Sequence, residues 1–196
     1  GEEQSVSGYE LACESDLFNE ENVAFSGDAT ASGTDAGTYM MERAAEQFSY
    51  DDDNINATFS VTDGMLTITP ASVTVNIVGN YNAEDYDGEE HTVSGYTISS
   101  IMMGEEETEL YTEDDFTYSG DSMVSSTNAG TTYMGLSAED FENTNENFDE
   151  VTFNIVSDGY ITINPISAVV TITGRVDTFT YDGTEHTVTH YTATAN

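Results

Sequence analysis

Residues 59–70 read Phe-Ser-Val-Thr-Asp-Gly-Met-Leu-Thr-Ile-Thr-Pro, and residues 153–165 read Phe-Asn-Ile-Val-Ser-Asp-Gly-Tyr-Ile-Thr-Ile-Asn-Pro. In both, apolar and polar side chains alternate on either side of an Asp-Gly pair, and the run stops at a proline. A period of two sends successive side chains to opposite faces of a strand. An Asp-Gly pair supplies the positive φ angles of a tight hairpin turn. The stretch therefore predicts strands at 57–61 and 65–69 around Asp63-Gly64, and at 151–155 and 160–163 around Asp158-Gly159. Proline has no amide hydrogen and a fixed φ, so Pro70 and Pro165 end the ladder and stiffen the joint that follows. They are the chain's two prolines and stand 95 residues apart.

Working outward, the whole chain repeats in the same order. GEEHTVSGYT at 88–97 returns as GTEHTVTHYT at 183–192 and as GEEQSVSGYE at 1–10. LFNEENVAFSGD at 17–28 matches LYTEDDFTYSGD at 110–121; DAGT at 35–38 matches NAGT at 128–131; AEQF at 45–48 matches AEDF at 138–141. Residues 73–87 match 168–182. Order and spacing together indicate duplication. The expected organisation is a unit at 1–70 that lacks its opening strand, a complete unit at 71–165, and the opening strands of a third at 166–196. Val73, Val75 and Ile77 alternate with polar neighbours as a half-buried strand should, and Tyr-Asp-Gly at 86–88 and 181–183 reads as a turn. Helical signals are confined to single turns near 45, 112–116 and 137–141. The fold class is all-β: tandem immunoglobulin-like β-sandwich repeats of about 95 residues. A chain cut out of phase with its own repeat is expected to be an excerpt of something longer.

Composition limits the partners. Asp and Glu total 38 against 2 arginines and no lysine, for a net charge of −36. Such a chain repels phosphate backbones and anionic lipid surfaces, which sets aside nucleic acid and membrane-surface binding. An acidic chain of this kind is often disordered, but here 12 Tyr and 9 Phe fall on strand patterns, which fits a folded β-protein with an acidic coat. Acid excess without lysine is also a feature of proteins from salty environments. No apolar run approaches the ~20 residues of a membrane span. Export signals are expected to lie outside this stretch.

The run Y-D-G-x-E-H-T-V-x-[GH]-Y, the element AGTTYMGL at 129–136, and the strand–Asp-Gly–strand–Pro ending resemble the tandem Ig-like repeats of very large bacterial surface proteins, common in gut Firmicutes and Actinobacteria. The resemblance covers essentially the whole chain. It implies an extracellular sandwich domain used as a stalk or adhesin repeat; it transfers no catalytic residues and specifies no ligand.

The candidate sites are few. His91 and His186 recur, but the first unit has Gln4 there, which cannot serve as a general base, so a polar strand position is the expected role. His190 replaces Gly95. Cys13 stands where the second unit has Ser100; it has the residue type of the Cys–Gln thioesters of some adhesins, and it reads more simply as a small buried residue. Lysine–asparagine isopeptide bonds are excluded because lysine is absent. Asp28 and Asp121 read as turn residues. Phe59, Phe153, Tyr96 and Tyr191 read as core, and the absence of Trp weakens a sugar-stacking face. The acidic loops are the best candidates: Asp52, Asn54 and Asn56 before one Asp-Gly, and Asn145, Asn147 and Asp149 before the other. Alternating oxygen donors suit a hard cation such as calcium, but an EF-hand's loop glycine and terminal glutamate are missing. Asn and Asp are equally good turn formers.

No constellation supports an enzyme. The leading expectation is a structural stalk or spacer repeat of an extracellular, cell-surface adhesin, whose partners are neighbouring repeats of the same chain. One alternative is a secreted subunit that self-assembles head to tail into an extracellular filament by donating a strand. Another is a module that binds host glycan or protein, with calcium as its one conceivable cofactor.

Overall fold

The computed structural model describes residues 1–195. Among them the chain is all-β, with four single-turn 3-10 helices and no longer helix. The first seventy residues hold β1 (Gln4–Ser7), β2 (Val23–Phe25), β3 (Thr30–Gly33), β4 (Gly37–Met40), β5 (Phe48–Tyr50) and β6 (Met65–Ile68). Next come β7 (Ala71–Gly79), β8 (Tyr81–Asp85), β9 (His91–Ser94), β10 (Tyr96–Met103), β11 (Glu106–Glu107) and β12 (Phe116–Tyr118). They are followed by β13 (Met123–Ser126), β14 (Gly130–Tyr133), β15 (Phe141–Asn143), β16 (Phe148–Ser157) and β17 (Tyr160–Asn164). After Pro165 come β18 (Val170–Gly174) and β19 (Tyr191–Ala195). Pro70 falls in the gap between β6 and β7, where a missing donor does no harm.

The strands pair alike in corresponding stretches. β1 pairs with β3 as β9 pairs with β13; β2 with β5 as β12 with β15; β4 with β6 as β14 with β17. The 3-10 turns Glu20–Asn22 and Ala45–Gln47 have counterparts in Glu113–Asp115 and Ala138–Asp140.

The chain divides into two compact units that do not follow the sequence units. The first holds residues 1–78, 96–121 and 136–157. Its largest sheet runs β11-β10-β7-β16, with β7 and β16 parallel and Val75 opposite Phe153. Val75 and Ile77 are completely buried there, packed with Tyr111, Phe116, Phe141 and Phe148. Aromatic rings dominate this core: Phe116 and Phe141 both lie on Phe153, and Tyr96 meets Tyr118 and Phe141 edge-on. Edge-to-face pairs match the positive rim of one ring to the negative face of the next.

The second compact unit holds residues 79–95, 122–135 and 158–195. Its sheet runs β14-β17-β8, with β8 and β17 parallel, and β13 pairs with β9 beside it. Ile161, Ile163, Val93 and Val124 form its core.

Four expectations are corrected. The Asp-Gly pairs do not turn a hairpin: β16 and β17 belong to different sheets, and neither Gly64 nor Gly159 has a positive φ. Residues 57–61 form no strand, although the matching 151–155 lie in β16. The difference is a partner: β16 hydrogen-bonds to β7, and no residues of the first sequence unit correspond to β7. Cys13 is exposed rather than buried, and Tyr191 is 68% exposed rather than core. Tyr96 and Phe153 do pack on the core, and Phe59 stacks on Phe48.

Candidate functional site

The repeated Asp-Gly pair has a different use from a turn. The Asp63 carboxylate accepts from the backbone amides of Glu42 and Arg43, both at 3.0 Å, and Asp158 accepts from Gly135 at 2.9 Å. Each carboxylate thus ties down the loop that leaves β4 or β14, a charge-assisted bond to backbone. The adjacent glycine permits close approach: the Gly64 and Gly159 carbonyls accept from Met41 and Met134 amides at 2.9 and 2.8 Å.

The Tyr-Asp-Gly turns do form, with Gly88 at φ 85° and Gly183 at φ 80°. Each carries a clasp. Asp87 Oδ1 accepts from the Glu89 amide at 2.8 Å and from His91 Nε2 at 3.0 Å; Asp182 Oδ1 takes Thr184 and His186 in the same way. Hydrogen bonds to the Glu89 amide and then to His91 lower the Asp87 pKa, and the bond to Asp87 raises that of His91. The two histidines thus close turns.

The acidic loops separate. Asp52 Oδ1 accepts from the Asn54 amide and side chain at 2.8 and 3.0 Å, closing an Asx turn, with Asn56 exposed beyond it. Asn145 Oδ1 accepts from the Asn147 amide at 2.9 Å in the same geometry, and Asp149 is exposed at the bulge that opens β16. Asn147 then reaches a distant loop: its Oδ1 accepts from Ala36 N at 2.6 Å, its Nδ2 donates to Asp35 Oδ1 at 3.1 Å, and its carbonyl accepts from Ala71 N at 2.9 Å. Asp52 Oδ1, Asn145 Oδ1 and Asn147 Oδ1 thus accept from nearby backbone and loop donors. Among the described residues, no three His, Cys, Asp or Glu side chains gather as a metal centre requires.

The Asn147 loop borders a cavity of about 190 Å³ lined by Asp35, Ala36, Ala71, Leu110 and Phe148 among others. These contacts join residues 34–36 of the first sequence unit to the second, inside one compact unit.

A larger groove was not read from the sequence. It has a volume of about 410 Å³ and lies between residues 10–13 and 55–60, with Leu11, Cys13, Ala57 and Phe59 on its walls. A second hollow of about 90 Å³ lies among Tyr9, Arg43, Phe48 and Val61. The Arg43 guanidinium sits 5.7 Å from the Tyr9 ring centre and donates to the Gly8 carbonyl. The signal for this groove was in the repeat itself. Residues 9–13 match 96–100 of β10, and 57–61 match 151–155 of β16; in the second unit those two strands are neighbours of β7.

No protein-family model matches the chain, and no curated protein or solved structure is found similar to it. Among the described residues no helix is long and apolar enough to cross a membrane.

Proposed function

We propose that the chain is a load-bearing spacer repeat of an extracellular surface protein, built of immunoglobulin-like β-sandwich units of about 95 residues. The observation that carries this reading is the parallel pairing of the strands that open and close residues 71–165. β7 runs parallel to β16 over eight residue pairs, and β8 runs parallel to β17 over five. When force pulls at the two ends of such a unit, parallel terminal strands slide past each other. Their hydrogen bonds, which run across the strands, are then loaded together instead of opening in turn. A spacer under tension needs that property; a catalytic domain does not.

The Asn147 contacts to Asp35 and Ala36 support the same reading, because they fasten one sequence unit to the next without a flexible linker. An acidic coat with a net charge of −36 keeps such a surface soluble and discourages folding back. The natural partners are neighbouring copies of the repeat. An antibody against residues 71–165 should label intact, unpermeabilised cells of the source organism. Labelling only after lysis would contradict an extracellular role.

A further inference from the structure

We infer that Tyr81 and Tyr160 form an oxidative modification site, at which a carbon–carbon bond joins their rings as dityrosine within one chain. This goes beyond the spacer reading and does not depend on it.

The sheet β14-β17-β8 sets three tyrosines in one row. Tyr160 stands opposite Tyr81 in the parallel pair of β17 with β8, and opposite Tyr133 in the antiparallel pair of β17 with β14. Ile161 and Ile163 of β17 enter the core, so the period of two turns Tyr160 to the outer face. The ring centres of Tyr81 and Tyr160 are 5.4 Å apart, with planes 16° from parallel; the Tyr133 ring lies 5.8 Å from Tyr160 and is tilted by 58°. Tyr81 is 68% and Tyr133 63% exposed, with Tyr160 half-buried between them. All three belong to the second compact unit.

The fold does not require phenols at these places. In the first sequence unit β4 pairs with β6 in the same way and sets Met40 opposite Met65, where the second has Tyr133 and Tyr160. Cross-strand ring packing by itself is served as well by phenylalanine. What two phenols in contact at the surface add is one-electron chemistry.

The oxidant is hydrogen peroxide, delivered through a haem peroxidase. Each phenol gives up one electron and one proton, and the two phenoxyl radicals couple at ring carbons ortho to their oxygens. The hydrogens on those carbons leave as protons while the oxygens are reprotonated, which restores both aromatic rings. Peroxide takes up the two electrons and two protons and ends as two waters. Exposed side chains change rotamer in picoseconds to nanoseconds, so the stacked rings can turn edge to edge. The closer and more nearly parallel ring makes Tyr81 the partner, and the new bond ties β8 to β17.

The experiment treats the 196-residue chain with hydrogen peroxide and a haem peroxidase, reads dityrosine fluorescence, and maps the linked peptides by mass spectrometry. At about 1 µM protein, a ring on the same chain is present at an effective concentration roughly a thousandfold above rings on other chains. The expected product runs as a monomer on a denaturing gel, has lost two hydrogens, and links the peptides of Tyr81 and Tyr160. Tyr160→Phe keeps the ring contact but removes the phenol. It is expected to leave the thermal midpoint unchanged and to lower the fluorescence at least roughly tenfold. Tyr181→Phe, at a tyrosine 93% exposed, is expected to leave the yield as it was. Links formed only between chains, coupling of Tyr160 to Tyr133 in preference, or a yield led by Tyr181 would overturn the inference.

Discussion

Asn147 and Asp35, 112 residues apart in the chain, are joined by a hydrogen bond of 3.1 Å from the Asn147 amide to the Asp35 carboxylate. The same Asn147 accepts from the Ala36 amide at 2.6 Å, so one side chain fastens two sequence units with a donor and an acceptor. Asn147→Ala removes both and leaves the Ala36 N–H without its partner. Destabilisation of about 1–2 kcal/mol is expected, read as a lowered denaturant midpoint. Asn54→Ala, the corresponding change in the first unit, removes only a local side-chain bond to Asp52, keeps the Asx turn, and should cost less than about 1 kcal/mol. Equal losses would show that Asn147 is merely another turn residue.

His190 offers the opposite sign. It has φ 89°, at the position where Gly95 has φ 83° and Gly8 has φ 95°. A side chain with a Cβ is strained there, by roughly 1–3 kcal/mol. His190→Gly should therefore stabilise the β18–β19 hairpin, seen as slower amide exchange across Val170–Gly174. Faster exchange would mean that the imidazole contributes more than the strain removes.

Two equivalent glycines test the packing. A Cβ on Gly79 would lie 2.0 Å from the Gly159 amide nitrogen, a clash with backbone, whereas a Cβ on Gly174 meets nothing within 4 Å. Gly79→Ala should destabilise by about 3 kcal/mol and Gly174→Ala should be neutral or slightly stabilising. Thermal melts of the two variants give the comparison directly.

The turn clasp makes a pH prediction. Hydrogen bonding to Asp87 raises the pKa of His91 above its ordinary 6.5. A group whose folded pKa is raised contributes stability that is complete below its unfolded pKa and is lost as pH rises through the folded value. The His91 clasp should thus loosen as pH climbs from the mid-sixes upward. Asp87, whose pKa is lowered, loses its contribution only as pH falls through its depressed value. Following the His91 ring signals by NMR, Asp87→Asn should bring the titration back toward 6.5. An unchanged titration would show that Asp87 does not set it.

Burial pushes the Tyr111 pKa up to about 12, with Asp115 adding to it. Its hydroxyl donates to the Asp115 carbonyl at 3.1 Å and lies 3.0 Å from Asn143 Oδ1. With the unfolded value near 10, stability should fall as pH rises between about 10 and 12. Tyr111→Phe should flatten that decline while lowering stability near neutrality by about 1–2 kcal/mol.

The strands were largely legible because period-two alternation is a local signal: Val73, Val75 and Ile77 read as one buried face, and they are one. The Asp-Gly pairs misled because the same residues serve two purposes. Asp63 and Asp158 look like turn formers, but they accept backbone amides from a loop some twenty residues away, and their glycines allow close approach without a positive φ. Residues 57–61 carry a strand's alternation and still form none, because a strand needs a neighbour and local sequence does not supply one. The same logic hid the groove. Cys13 reads as buried only if the repeat's opening strand is beside it. Asn145 and Asn147 were legible as oxygen donors, whereas their use was not, since Asp35 and Ala36 lie far off in sequence.

A spacer role requires the parallel pair of β7 and β16 to resist shear. It is tested by pulling single molecules through two attachment geometries, residues 71 and 165 in one and residues 71 and 148 in the other. The first shears the pair; the second unzips it from the end where Ala71 faces Phe148. A clearly higher unfolding force in the first geometry is the predicted result, and equal forces in the two would contradict it.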